Sequence, residues 1–239
     1  MILLRSILFF IYLVITTIIV AGIGTLIGWA FTKEKLPLID SLWSRLNLWG
    51  LSAICGLNYR LTGAENIPKG PCIVLAKHQS AWETIALVSL IPGRKSWVLK
   101  RELLFVPFFG WIMCYFKPIA INRKSGHKAI DQIIEQGTQR LESGSKIIVF
   151  PEGTRVAPGT RKRYGIGGAI LAEKTQAPVL PIAHNAGVFW RRRGVRKYPG
   201  TIDVVIGTLF ETQGMRASEI NAKAEKWIED TVASLPSEV

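Results

Sequence analysis

A chain of 239 residues holds one large domain, or one domain and an appendage, and can bury a sizeable core. At 49% hydrophobic, with a mean hydropathy of +0.26, it is more apolar than a soluble protein usually is, and its net charge of +13 suits an anionic partner: nucleic acid, anionic lipid headgroups or a phosphorylated substrate. Three widely spaced cysteines, Cys55, Cys72 and Cys114, exclude a paired metal site and read as core thiols of a chain kept on a reducing side.

The apolar excess sits at the front. From Ser6 to Thr32 there is no charged residue and no histidine. As a helix this stretch is about 40 Å long against a hydrocarbon core of about 30 Å. A cleaved signal has an apolar region of only about 7–15 residues, so the stretch reads as a retained membrane segment. Lys33-Glu34-Lys35 and Pro37 break it. Residues 38–57 then mix Trp43, Trp49 and leucines with Asp40, Arg45 and Asn47, an amphipathic helix for the membrane surface. Residues 1–58 are therefore expected to form a two-helix membrane element and residues 59–239 an α/β domain. Residues 1–58 carry four cations against two carboxylates, so +11 of the charge falls in the second part.

From residue 59 the pattern changes. β-rich runs at 58–62, 72–76, 96–100, 118–121, 146–150, 179–183 and 202–206 alternate with helical patterns at 80–91, 125–142, 166–176 and 216–234. Apolar strands interleaved with helices predict a mainly parallel sheet of about seven strands, flanked by helices, with its chemistry in the loops beyond the carboxyl ends of the strands.

Three stretches fall at such ends. HQSAWE (78–83) follows the strand CIVLA and pairs a histidine with a carboxylate. A histidine base needs a partner to fix its tautomer, and Glu83 is a candidate. Ser80 and Glu83 equally fit a capping box, and the two roles are compatible. FPEGTR (150–155) ends the strand KIIV with a glycine that lets an anion approach the backbone and an arginine that grips phosphate, or else with an ordinary turn. Between Lys100–Arg101 and Arg123 lies a run containing Phe105, Phe108, Phe109, Trp111 and Phe116, which suits a phosphate head with an apolar tail or a core helix with solvated ends. The basic run at 190–200 reads as a solvated loop against anionic lipid. His127 reads as exposed, and His184, after VLPIA, as a weaker site candidate that fits core or loop better. There is no Gly-x-Ser-x-Gly elbow, P-loop or His-Glu-x-x-His, and GIGGA at 165–169 is only a faint dinucleotide loop.

In order and spacing, HQSAWE (78–83), KRELLFVPFFGW (100–111) with Arg123, FPEGTR (150–155) and VLPI (179–182) resemble the glycerolipid acyltransferase family, most closely its 1-acylglycerol-3-phosphate (lysophosphatidic acid) branch. The likeness covers about residues 60–210. Two positions depart from the family pattern: Glu83 stands where aspartate is usual, and Lys77 where asparagine is often found. The resemblance implies acyl transfer from a thioester, acyl-CoA or acyl carrier protein, to the 2-hydroxyl of lysophosphatidic acid, giving phosphatidic acid. His78 would be the base oriented by Glu83. Lys100, Arg101, Arg123, Glu152, Gly153, Thr154 and Arg155 would hold the phosphate. No metal, cofactor or nucleic acid is implied. Membrane lipids are expected partners, with the catalytic domain on the cytoplasmic face of the inner membrane. The same chemistry on another lysolipid or glycerol 3-phosphate stays open, as does a non-catalytic protein binding anionic lipid.

Overall fold

The computed structural model describes residues 1–27, 36–105, 117–122 and 127–238. Arg123, Lys33–Lys35, Cys114 and the aromatic positions Phe108, Phe109, Trp111 and Phe116 lie outside the described residues. The apolar runs form β1 (Leu57–Thr62), β2 (Ile73–Ala76), β3 (Lys95–Lys100), β4 (Ile119–Ile121), β5 (Lys146–Val149), β6 (Val179–His184) and β7 (Gly200–Ile206). They make one sheet in the order β1-β7-β6-β2-β5-β3-β4. Every pairing is parallel except β6 with β7. That exception has a local cause. Parallel neighbours usually need a helical crossover, whereas β6 is followed only by a four-residue helical turn and a loop.

The helices are α1 (Ile2–Ile27), α2 (Leu36–Gly50), α3 (Trp82–Leu90), α4 (His127–Glu142), α5 (Gly167–Thr175), the short α6 (Ala186–Phe189) and α7 (Ala217–Ser234). Side chains alternate across the strands. Val74, Ala76, Ile148, Leu180 and Ile182 pack with Phe9, Leu48, Trp82 and Ile85, on the face of α1, α2 and α3. Ile73, Leu75, Ile147, Val149, Val179 and Ala183 pack with Ile133, Leu171, Ala224 and Ile228, on the face of α4, α5 and α7. Both faces are covered, which is why the central strands are continuous apolar runs rather than alternating ones.

One face of α1 is engaged by the rest of the chain. Tyr12 Oη donates to the Leu46 carbonyl (2.9 Å), Thr16 Oγ1 donates to Asn47 Oδ1 (3.0 Å), and Trp43 Nε1 donates to Thr17 Oγ1 (3.1 Å). Nearer its start, Ser6 Oγ accepts the Lys197 amide (2.8 Å), and the buried Phe9 meets Trp190 edge-on at 5.9 Å. The basic loop is therefore only partly solvated. Arg191, Arg192, Arg193 and Arg196 are exposed, but Lys197 is buried, its Nζ 4.7 Å from the Trp190 ring centroid. The other face of α1 presents Leu4, Leu8, Ile11, Ile15 and Ile18 outward, and Leu42 and Trp49 of α2 are likewise exposed. By length and composition α1 can cross a membrane, with mean hydropathy 2.4 over Ile2–Val20, and this uncovered apolar surface suggests membrane association.

β1 ends at Gly63, which has φ +76; an added Cβ there would lie 2.1 Å from the Ile206 carbonyl oxygen of β7. Gly63→Ala is expected to destabilise the fold by about 1–3 kcal/mol. The control Gly70→Ala, whose Cβ would meet nothing within 4 Å, should stay within about 0.5 kcal/mol of wild type. Thermal unfolding of the two variants in detergent checks the difference.

Candidate active site

The parallel core brings the carboxyl ends of β2, β5 and β3 to one edge, joined there by the end of β6. Alternation then sends adjacent residues to opposite faces. His78 continues the register of Val74 and Ala76 toward α3, and Lys77 continues that of Ile73 and Leu75 toward α7.

On the α3 side, His78 Nδ1 lies 2.9 Å from Glu83 Oε1. The same oxygen accepts the backbone N–H groups of Gln79 (2.8 Å) and Ser80 (2.7 Å), while Ser80 Oγ accepts the Trp82 amide (3.2 Å). Glu83 thus caps the start of α3 and holds the imidazole with one oxygen. The carboxyl is fully buried. Burial opposes its charge, but His184, His78 and the Ser80 amide outweigh that and hold it below the ordinary carboxylate range. His78 stacks on Phe150, with ring centroids 4.1 Å apart and planes 13° from parallel. Its side chain is 14% exposed, and Nε2 is the ring nitrogen away from Glu83.

On the α7 side, Lys77 is buried between two carboxylates, with Nζ 2.8 Å from Glu152 Oε1 and 2.7 Å from Glu229 Oε1. Tyr164 Oη donates to Glu229 Oε1 (2.8 Å). The second oxygen of Glu152 accepts the backbone N–H of His78 at 2.6 Å. Burial lifts the Glu152 carboxyl to about 7 against the opposing pull of Lys77, with Glu229 adding to the rise.

The loop after β5 is clasped to His78 twice, through Glu152 and through the Val156 amide, which donates to the His78 carbonyl (2.8 Å). Phe150 to Gly153 form a tight turn, closed by the Gly153 amide on the Phe150 carbonyl (3.0 Å), with Gly153 at φ 67. Thr154 and Arg155 lie between the two clasps and so stand beside His78. Both are half-buried, and Arg155 has no ion-pair partner among the described residues. Lys100 ends β3 and Arg101 follows it, two strands from β2 and so about 10 Å along the sheet edge. Lys100 pairs with Glu102 at 3.1 Å in solvent, and Arg101 is exposed. The structure therefore gathers His78, Glu83, Glu152, Gly153, Thr154 and Arg155 closely, sets Lys100 and Arg101 along the same edge, and turns the Glu152 carboxylate inward.

A protein-family profile described as Acyltransferase matches residues 58–185, more than half of the chain. The chain belongs to the acyltransferase family. Among its relatives, the 1-acyl-sn-glycerol-3-phosphate acyltransferase of Pseudomonas aeruginosa is 44% identical over 206 residues, 85% of this chain and 80% of that protein. The human 1-acyl-sn-glycerol-3-phosphate acyltransferase beta is 27% identical over 169 residues, 70% of this chain and 61% of the human one. The crystal structure of the 1-acyl-sn-glycerophosphate (LPA) acyltransferase PlsC from Thermotoga maritima shares the fold, with a TM-score of 0.80 over 98% of this chain and 97% of that one, at 23% identity.

Several residues around this candidate site were not singled out by the sequence as site residues. Lys77 carried a signal, as a lysine at the end of an apolar strand whose alternation buries it. Glu229 and Tyr164 carried none, since nothing in their local sequence points to residue 77. Glu229 also lies beyond the stretch that matches the family.

The raised Glu152 carboxyl has a pH consequence. Its folded value of about 7 exceeds its ordinary 4.5, so the native state binds this proton more tightly. The associated stability is fully present below 4.5 and is lost as pH rises through 7. Glu152→Gln lacks that loss. Its melting temperature relative to wild type should rise between about pH 4.5 and 7 and level off above, as checked by thermal unfolding across that range.

Proposed function

We propose that this acyltransferase moves a fatty acyl group from a thioester donor to the 2-hydroxyl of lysophosphatidic acid, giving phosphatidic acid. The observation that carries the reading is the His78–Glu83 contact of 2.9 Å at a sheet edge that also holds Arg155, which has no ion-pair partner among the described residues. The names of the relatives support the acceptor.

In this mechanism Glu83 accepts the Nδ1–H of His78 and so leaves the Nε2 lone pair free to act as base. Nε2 takes the acceptor's hydroxyl proton as the oxygen attacks the thioester carbonyl. Collapse of the tetrahedral intermediate breaks the carbon–sulfur bond, and the imidazolium returns the proton to the departing thiolate. The acceptor is itself the nucleophile, so no acyl-enzyme forms. A base placed this way contributes about 10²–10⁴-fold. Phe150, stacked on the ring, fixes its plane.

Arg155, Thr154 and the Gly153 backbone bind the acceptor phosphate, with Lys100 and Arg101 at the end of β3 and with Arg123, which lies outside the described residues. Glu152, named with them from the sequence, serves the pocket indirectly: its carboxylate faces Lys77 and the His78 amide, and a carboxylate aimed at a phosphate would repel it. Residues 1–58 act as the membrane element and residues 59–239 as the catalytic domain. The enzyme works at the cytoplasmic face of the inner membrane, where α1 and the exposed arginines of the 191–196 loop meet lipid. Both candidate donors, acyl-CoA and acyl carrier protein, are anionic and suit the basic surface.

A turnover assay with an acyl-CoA and a panel of lyso-acceptors, with and without phosphate, tests the reading. Turnover is expected on lysophosphatidic acid and to vanish in His78→Ala, which stays folded and membrane-bound. Arg155→Ala should raise KM for lysophosphatidic acid by about tenfold or more, in line with the loss of a charge-assisted contact, and leave KM for the donor within about twofold. Equal effects on both substrates would refute the phosphate pocket, and normal turnover in His78→Ala would refute the mechanism.

A further inference from the structure

Glu83 has a second oxygen to account for. Oε1 collects the contacts described above, whereas Oε2 is buried with no hydrogen-bond partner among the described residues. An orphaned carboxylate oxygen is costly in a low-dielectric interior. Facing it, 3.9 Å away, is Nε2 of His184, at the end of β6. His184 is fully buried and meets Trp82 edge-on at 6.2 Å, so its ring is fixed by packing.

Its neighbours also fix its proton. The Ala186 amide donates to Nδ1 (3.2 Å), so Nδ1 carries no hydrogen. The hydrogen is on Nε2, which donates to the Lys77 carbonyl at 2.9 Å while facing Glu83. Burial keeps the ring neutral by holding its basicity below the usual histidine range.

We infer that His184 is a positioning residue for the acyl-transfer reaction proposed above, on which this assignment rests: its Nε2–H holds the charge of Glu83 from the side opposite His78. At 3.9 Å the contact is too long for a hydrogen bond, so it acts through the N–H dipole, which a low dielectric strengthens. When His78 takes the hydroxyl proton, the negative charge on Glu83 supports the imidazolium. Without a donor facing Oε2 the carboxyl takes up a proton more readily, and a neutral Glu83 supports nothing. The bond to the Lys77 carbonyl adds a mechanical role, since it holds the peptide immediately before His78.

Among the described residues, the titratable groups facing Glu83 are His78 and His184. Lys77, Glu152 and Glu229 lie on the opposite face of β2, and the charge of Lys77 also acts across the strand on His184.

Full-length protein in detergent is compared as wild type, His184→Leu and His184→Gln, with an acyl-CoA and lysophosphatidic acid. His184→Leu should lower kcat by about tenfold or more, leave both KM values within about twofold, and move the acid limb of the pH profile to higher pH. His184→Gln sets an amide N–H where Nε2 stood and should recover kcat to within about fivefold of wild type. Wild-type kcat and acid limb in His184→Leu, or a loss that His184→Gln does not recover, would overturn the assignment.

A second measurement needs no turnover, so it separates this assignment from the choice of acceptor. The chain has three histidines, and ¹⁵N-histidine NMR with His184→Gln identifies the His184 signals. A neutral ring protonated at Nε2 near neutral pH, with its Nε2 signal shifted in Glu83→Gln, is expected. A charged ring, or one protonated at Nδ1, would overturn the inference even if lysophosphatidic acid is the acceptor.

Discussion

A single buried carboxylate oxygen, Glu83 Oε1, carries the arrangement. A buried carboxylate must collect donors or lose its charge, and here the donors are the amides of Gln79 and Ser80 and the Nδ1 of His78. Satisfying that oxygen sets where α3 begins, how the chain leaves β2 and which way the imidazole points. A helix cap and a histidine clamp are usually separate devices. In this acyltransferase they share one atom, so a change that moves α3 moves the histidine with it.

The strand alternation makes this local device part of the whole domain. His78 faces the α1–α3 layer, and Lys77 faces the layer of α7, where it is ion-paired with Glu152 and Glu229. The loop after β5 crosses back and grips both the amide and the carbonyl of His78. The histidine backbone is thus tied from below while its ring is held from above by Glu83 and Phe150. Removing one member of a buried charge cluster leaves the others uncompensated, which explains why a lysine and two glutamates stay together in a largely apolar interior.

Much of this was legible in the sequence, because strand and helix periods are local. The seven β-rich runs and the four helical patterns after residue 80 fall within a few residues of β1–β7 and of α3, α4, α5 and α7. Of the three stretches at strand ends, HQSAWE and FPEGTR are joined at one edge, and Lys100 and Arg101 lie along it. What the sequence did not disclose depends on long-range pairing. The antiparallel β6–β7 pair, the Glu229 partner of Lys77 across 152 positions and the approach of His184 to Glu83 come from strand order and helix docking, not from any period. Glu152 illustrates the same limit: PEGTR identifies the loop, but only the fold says that its carboxylate turns inward. Likewise the basic run at 190–200 looked solvated throughout, yet packing against Ser6 and Phe9 buries Lys197.

The most direct test of the account is the turnover of Glu83→Gln, measured beside its melting temperature. Glutamine keeps an acceptor oxygen for the Gln79 and Ser80 amides but removes the charge that supports an imidazolium. A kcat lower by about 10²-fold or more, with a melting temperature within a few degrees of wild type, is the predicted result. Wild-type kcat in the folded variant would contradict it and leave Glu83 as a helix cap alone.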